Sequence, residues 1–390
     1  MAPPTDGWRT APLARNAAWI GRSDAWEQLE TPALCIDLAA LEYNVDHLAR
    51  WARGTGISIR PHVKTHKCKA IARLQRAAGA VGVSAATLAE AEAMVAADVG
   101  AVLLTTPVVG TAKLRRLAAL HAVAAERLLV VTDAVESVAE LEALAQATGR
   151  PLGVLIEHHA GQGRSGCDTL AELETLAAAI GAAPHLRLRG LQHYFGHLQH
   201  LADPIERRAR VLETVDAVRR KLAELRRGGV HLEIVSGGGT GTLLAAAEAD
   251  FYTELQPGSY VFMDAQYEDA LAEDTTLEFH PALFVAARVT SVQSAARRGY
   301  VTIDAGQKAL SIDAPGPRPR GAGAAGTGYE CFGDEHGRWR LAAGAPVPAR
   351  GARLDLWPAH CDPTVALHDA YHVFRGSELV AIWPIDARGY

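Results

Sequence analysis

Aromatic residues make up only 6% of the sequence, and 390 residues include three methionines and five cysteines. The cysteines (Cys35, Cys68, Cys167, Cys331 and Cys361) are odd in number and scattered, with no Cys-x-x-Cys pair. That excludes a disulfide framework and a zinc ribbon, and it leads us to expect a reducing, cytoplasmic setting. A basic excess is also missing: 39 Lys and Arg against 44 Asp and Glu leave a net charge of −5. Nucleic acid and the membrane surface are therefore not expected as partners. The one basic helical stretch, residues 207–227, lies among Glu206, Glu213 and Glu224 and reads as a solvated face. The apolar run over 95–110 is broken by Asp98, so no membrane span is expected. Residues 1–23 lack the continuous apolar core of a signal peptide, so no leader is expected either.

What is present is an ordinary globular balance, 49% hydrophobic and 21% charged, on a chain long enough for two or three domains. Residues 1–30 show no periodicity and read as an N-terminal arm. Residues 32–37 read as a strand, and Leu41, Val45, Leu48 and Ala52 then recur at helical spacing. After that a unit repeats: a short apolar run, a loop, a helical run. The runs fall at 57–60, 81–85, 101–105, 128–132, 153–157, 188–194, 232–235 and 253–256. Eight strands alternating with helices predict an α/β fold with a parallel (β/α)8 TIM-type barrel; an open doubly wound sheet is the competing topology. Beyond residue 270 helical periodicity stops. Runs of β type at 277–292, 299–303, 352–357, 370–374 and 379–383, separated by Gly- and Pro-rich turns, predict a C-terminal antiparallel β-domain. The expected division is an arm over 1–30, a barrel over 31–268 and a β-domain over 269–390.

Motifs gather at the carboxyl ends of the barrel strands, where such folds place their chemistry. The first strand leads into Arg60-Pro61-His62-Val63-Lys64-Thr65-His66-Lys67. A lysine crowded there by other cations should have a lowered pKa, which suits a Schiff-base nucleophile. After the fifth strand comes Gly161-Gln162-Gly163-Arg164, a tight loop with a fixed cation that can face an anionic oxygen or a ring nitrogen. The sixth strand ends in Gln192-His193-Tyr194-Phe195-Gly196-His197-Leu198-Gln199-His200, which can supply a stacking ring and a base titrating near neutral pH. Ser236-Gly237-Gly238-Gly239-Thr240-Gly241 follows the seventh strand, and Gln256-Pro257-Gly258-Ser259-Tyr260 the eighth. Glycines admit a phosphate close to the backbone, and the Thr and Ser hydroxyls can hold its oxygens. In the β-domain, His360-Cys361-Asp362 can ligate one cation if the chain is extended, because residues i and i+2 then share a face. A nitrogen with a hard carboxylate favours Mn²⁺ or Mg²⁺, or Zn²⁺. Taken singly, each motif has a plain alternative: a solvated basic turn, a surface arginine, a structural histidine, a Gly-rich turn.

Taken together, in this order and spacing, the motifs resemble those of the D-threonine aldolase / D-serine dehydratase family, enzymes of pyridoxal 5'-phosphate with an alanine-racemase-like fold. The resemblance runs from about Thr31 to the C-terminus. It implies that Lys64 forms the Schiff base and that Arg164 and Tyr194 contact the cofactor. It implies a phosphate loop at Ser236, Gly238, Gly239 and Thr240, a cup that Gly258 and Ser259 after the eighth strand would complete. His200 is the implied base, and His360 and Asp362 are the implied metal ligands, with His368-Asp369 following in the pattern. It also implies that the strand near Ile36 joins the β-domain and that the enzyme is a homodimer. Aldolase members look like His-x-Asp and dehydratase members like His-x-Cys, so Asp362 favours the aldolase. The chain departs from the aldolase pattern at Ala85-Ala86-Thr87 and Thr106-Pro107, which look more like the dehydratase side, and at His159 and Phe195. The resemblance therefore implies a lyase that cleaves D-β-hydroxy-α-amino acids to glycine and an aldehyde. The alternatives are a D-serine or D-3-hydroxyaspartate dehydratase on the same scaffold, or a non-enzymatic carrier of the cofactor; such carriers lack the β-domain and the metal pair.

Overall fold

A computed structural model describes residues 13, 15–273, 276–321 and 323–389. Its chain contacts divide into two units. One takes the described residues up to Asn44 together with Val261–Gln266 and Phe279–Arg388, and the other takes Val45–Tyr260 and the described part of Tyr267–Glu278. The strands, in chain order, are β1 (Ala33–Asp37), β2 (Ser58–Ile59), β3 (Gly82–Ala85), β4 (Ala101–Leu104), β5 (Leu128–Thr132), β6 (Leu152–His158), β7 (Leu186–His193), β8 (Ile234–Gly237), β9 (Glu254–Leu255), β10 (Leu283–Ser291), β11 (Tyr300–Ile303), β12 (Arg318–Arg320), β13 (Gly328–Cys331), β14 (Gly337–Arg340), β15 (Arg353–Trp357), β16 (Ala370–Arg375) and β17 (Glu378–Pro384).

The larger unit is the barrel. Strands β2 to β9 form one parallel sheet in the order β2-β9-β8-β7-β6-β5-β4-β3. Its two ends meet at a parallel bridge between His62 and Ser84, which closes the sheet and rules out the open doubly wound topology. The strands are buried nearly throughout, as parallel strands covered on both faces must be. Helices start where the sequence supplies caps. Thr87 and Thr169 each make a capping box with the glutamate three residues on, Glu90 and Glu172. Asp203 caps Pro204–Arg227 through the backbone N–H groups of Ile205 and Glu206, with Pro204 at the first helical position.

The other unit is a nine-stranded sheet with the path β13-β14-β11-β10-β1-β16-β17; β15 pairs with β10, and β12 with β15. Every pairing is antiparallel except β1 with β16. Residues 1–12 and 14 of the expected arm lie outside the described residues. The part that follows is folded onto this sheet: Ala25 and Leu29 are buried in a cluster with Phe284, Phe374 and Leu379, and the Trp26 ring meets that of Phe374 edge-on at 4.5 Å. The sequence reading overlooks three strands here, β12, β13 and β14, in the Gly- and Pro-rich stretch it treats as turns. It also overlooks the helix Cys361–Ala366. Among the described residues no helix is long and apolar enough to cross a membrane.

Candidate functional site

Lys64 sits in a single 3₁₀ turn, Val63–Thr65, directly after β2. The flanking histidines are used as struts. His62 Nδ1 accepts from the Lys64 backbone N–H at 3.3 Å, so its Nε2 carries the proton and meets the Thr105 hydroxyl at 3.2 Å. His66 Nδ1 accepts from Cys68 N–H at 3.1 Å, at the start of helix Lys69–Ala77. Its Nε2 reaches Gln75 Oε1 at 3.2 Å, and Gln75 Nε2 donates to the Tyr260 hydroxyl at 3.0 Å. The cationic crowding expected around Lys64 is smaller than the sequence suggests. Arg60 makes a buried two-pronged bond to Glu254 at 2.6 and 2.8 Å, and Lys67 pairs with Glu90 at 2.5 Å. Two of the flanking cations thus carry their own carboxylates.

Lys64, Arg164, Tyr194, Gly239, Thr240, Gly258 and Ser259 line one cavity. The predicted cup and the predicted lysine are therefore brought together. Thr65 and Tyr267 join them, without having been singled out from the sequence. Ser236 and Gly238 do not line the cavity. The Ser236 hydroxyl accepts from Gln256 Nε2 at 2.7 Å, and Gly238 has φ of 65°, a turn that favours glycine. Two N–H groups of the loop are already committed: Gly239 N donates to Thr242 Oγ1 at 3.1 Å and Gly241 N to Gln199 Oε1 at 3.1 Å. Gln199 thus braces the glycine-rich loop. Hydroxyls remain for an anion. Thr65 Oγ1 is buried with no hydrogen-bond partner among the described residues, and a side chain at Gly258 would meet it at 2.7 Å. An orphaned buried donor beside an approach that only glycine leaves open fits a phosphate-bearing group.

Besides Lys64, the cavity is lined by the charge of Arg164, which is backed by a residue the sequence reading passes over, Glu157 at the end of β6. The Arg164 guanidinium lies 5.4 Å from the centre of the Tyr194 ring and 3.7 Å from Glu157 Oε1. Glu157 also accepts from Gln192 Nε2. Burial pushes its carboxyl up to about 7, against the opposing pull of the Gln192 bond and of Arg164. His200 is exposed and does not line the cavity; its ring packs at 4.5 Å against Tyr267, which does. The nearby His193 is structural: it is fully buried, bonds the Tyr252 hydroxyl at 2.8 Å, and is held neutral because burial lowers its pKa far below the usual range.

In the β-sheet unit, His360 and Asp362 do come together, but not on an extended chain. His360 is extended and caps the helix Cys361–Ala366, so Asp362 stands in the first helical turn. His360 Nε2 and Asp362 Oδ2 are 3.9 Å apart, a gap that two coordinate bonds of about 2.1 Å can span. Cys361 points away, fully buried, with its thiol on the Met263 carbonyl at 3.4 Å. His368 bonds the Ala309 carbonyl at 2.7 Å, and burial lowers its pKa to about 4. Among the described residues no group of three or more His, Cys, Asp or Glu side chains is placed to hold a metal ion. The donor set is therefore a pair, one nitrogen and one carboxylate, which fits a hard cation that keeps water or substrate in its other positions.

Comparison with known proteins agrees with this geometry. The family model for the alanine racemase N-terminal domain matches residues 36–266, and a serine dehydratase domain model matches residues 282–374. The chain is 38% identical to a D-threonine aldolase from Arthrobacter sp over 94% of this chain and 95% of that one. It is 31% identical to a D-threo-3-hydroxyaspartate dehydratase from Delftia sp. (strain HT23), over 91% of this chain and 97% of that one. The crystal structure of a D-threonine aldolase from Filomicrobium marinum superimposes with a TM-score of 0.87 at 39% identity, covering 93% of this chain and 97% of that one.

Proposed function

Because the chain belongs to the D-threonine aldolase / D-serine dehydratase family of the alanine-racemase-like fold, we propose that it is a carbon–carbon lyase. Using pyridoxal phosphate and a divalent cation, it cleaves D-β-hydroxy-α-amino acids to glycine and an aldehyde. The observation that carries this reading is the convergence of Lys64, Arg164, Tyr194, Thr240 and Ser259 in one cavity. Lys64 would be the amine that holds the cofactor. The hydroxyls of Thr240, Ser259 and Thr65 donate to the phosphate, while Gly239 and Gly258 keep its approach open. Ser236 and Gly238 shape the loop behind them. Arg164, backed by Glu157 and facing the Tyr194 ring, would offer a fixed positive charge to the cofactor. Pyridoxal phosphate, when bound, supplies an electron sink for the pair released at Cα. His360 and Asp362 hold the cation, Mn²⁺ or Mg²⁺ with Zn²⁺ as the third candidate, whose Lewis acidity serves the β-hydroxyl. His200 accepts the hydroxyl proton. The reading includes a homodimer and a cytoplasmic location; the free thiols, four of the five buried, suit a reducing compartment.

β-Elimination to a 2-oxo acid and ammonia is the second reading. It is favoured by one observation: Ala86 and Thr106, two positions that depart from the aldolase pattern toward the dehydratase, both line the cavity. One incubation separates the two. Loaded with cofactor and Mn²⁺ and given D-threonine, the protein should release acetaldehyde and glycine in equal amounts. Formation of 2-oxobutyrate without glycine would sink the aldolase reading.

A further inference from the structure

We propose that Asp313 is a positioning residue for the cation pair: it holds the His360 ring so that Nε2, rather than Nδ1, is presented beside Asp362. The proposal rests on the reading of His360 and Asp362 as cation ligands. Its first support is the geometry of the ring. His360 Nδ1 lies 3.1 Å from Asp313 Oδ2, while Nε2 lies 3.9 Å from Asp362 Oδ2. Each ring nitrogen therefore faces a different carboxylate. A carboxylate accepts and does not donate, so the imidazole proton belongs on Nδ1 and the lone pair on Nε2. That is the tautomer a metal on Nε2 requires, and a carboxylate on the far nitrogen both fixes it and raises the basicity of the ligating one.

The second support is that Asp313 is itself held in place. Its N–H donates to Ser311 Oγ at 3.3 Å. Ser311 N–H donates to Thr364 Oγ1 at 3.0 Å, and Thr364 Oγ1 donates to the His360 carbonyl at 2.8 Å. On the other side, Gln266 Nε2 donates to the Ala314 carbonyl at 2.7 Å. The loop that carries Asp313 and the helix that carries Asp362 are thus one hydrogen-bonded assembly closing on His360. This matters because Asp313 is half exposed, and an untethered surface carboxylate would position little. The third support is the smallness of the donor set. With two candidate ligands among the described residues, a ring free to flip would lose its nitrogen ligand whenever Nδ1–H faced Asp362. Asp313 removes that orientation.

The test is Mn²⁺ affinity, measured by calorimetric titration of MnCl₂ into the cofactor-loaded full chain. D313A, D313N, H360A and D362A are compared with the unaltered protein. D313A should weaken Mn²⁺ binding by about ten- to a hundredfold. D313N, whose amide oxygen can still accept from Nδ1–H, should fall in between. Cofactor absorbance should stay unchanged in both, a combination that a merely structural defect would not produce. Should D313A lose its fold, as seen by circular dichroism, folded D313N decides in the same way. Wild-type Mn²⁺ affinity in the Asp313 variants, with binding lost in H360A and D362A, overturns the role of Asp313 alone. Wild-type affinity in all four overturns the cation reading of the pair, and the proposal with it.

Discussion

Glu157 is the residue whose chemistry most exceeds its appearance in the sequence. An acid at the end of an apolar strand is unremarkable on paper, yet this one is 2% exposed and burial pushes its carboxyl up to about 7 from an ordinary 4.5. The folded pKa is the higher one, so the folded chain keeps a proton that the unfolded chain has released. The stability this group contributes is full below about pH 4.5 and is lost as the pH rises through 7. A shift of that size corresponds to about 3 kcal/mol. Glu157→Gln keeps the shape and cannot ionise. Urea unfolding at a series of pH values should show the unaltered protein losing about 3 kcal/mol relative to the Gln variant between pH 4.5 and 8. Parallel stability profiles would mean that Arg164 and Gln192 keep the carboxylate ionised throughout. Lys64, Arg164, Tyr194, Thr240 and Ser259 were legible because each sits in a dense motif at a strand end. Glu157, Thr65 and Asp313 were not. In a strand buried on both faces there is no alternation to say which side chain enters the barrel, Thr65 hides inside a motif read for its charges, and Asp313 lies in a loop whose glycines and prolines mask its partner 47 residues on.

At the scale of the element, the closure of the barrel depends on its two shortest strands. β2 and β9 pair over only two residues each, Ser58 with Glu254 and Ile59 with Leu255. The Arg60–Glu254 bond reinforces that short ladder from within, with both side chains at most 6% exposed, and Arg60 also donates to the Ala101 carbonyl of β4 at 3.1 Å. Gly82 is required beside it: a side chain there would meet Ala101 O at 2.1 Å and the Arg60 guanidinium at 2.7 Å. Removing one partner of such a pair leaves a buried charge uncompensated. Glu254→Ala should cost about 3–5 kcal/mol by chemical denaturation, while the double change R60M/E254L should recover much of it. A loss below about 1 kcal/mol for the single variant would show that water reaches the pair. The strands themselves were readable as eight apolar runs at regular spacing; two helix starts, the Thr-x-x-Glu boxes at Thr87 and Thr169, were readable in principle and went unused. The turn into the helix Cys361–Ala366 was readable in principle, since Asp362 and Pro363 in a first turn are a start signal. The His-x-Asp spacing drew the eye to a strand periodicity instead.

For the molecule as a whole, the two ligand sets are divided along the chain. The cavity residues fall within Val45–Tyr260 and Tyr267–Glu278, whereas His360, Asp362 and Asp313 fall within Phe279–Arg388. We predict that loading one set does not require the other. Stripping the cation with a chelator, or removing its nitrogen ligand with His360→Ala, should therefore abolish lyase turnover and leave cofactor absorbance and affinity unchanged. Conversely, Lys64→Ala should lose the absorbance of the lysine-bonded cofactor and keep its Mn²⁺ affinity. Stability offers an independent readout, because a ligand that binds only the folded state at a hundred times its Kd adds about 2.7 kcal/mol whatever the chemistry it serves. Pyridoxal phosphate and Mn²⁺ should raise the unfolding midpoint separately, the first in His360→Ala as in the unaltered protein, the second in Lys64→Ala as in the unaltered protein. If chelation released the cofactor, or if Lys64→Ala lost the cation, the two sets would be one coupled site. The assignment of every cofactor contact to the barrel unit would then be wrong.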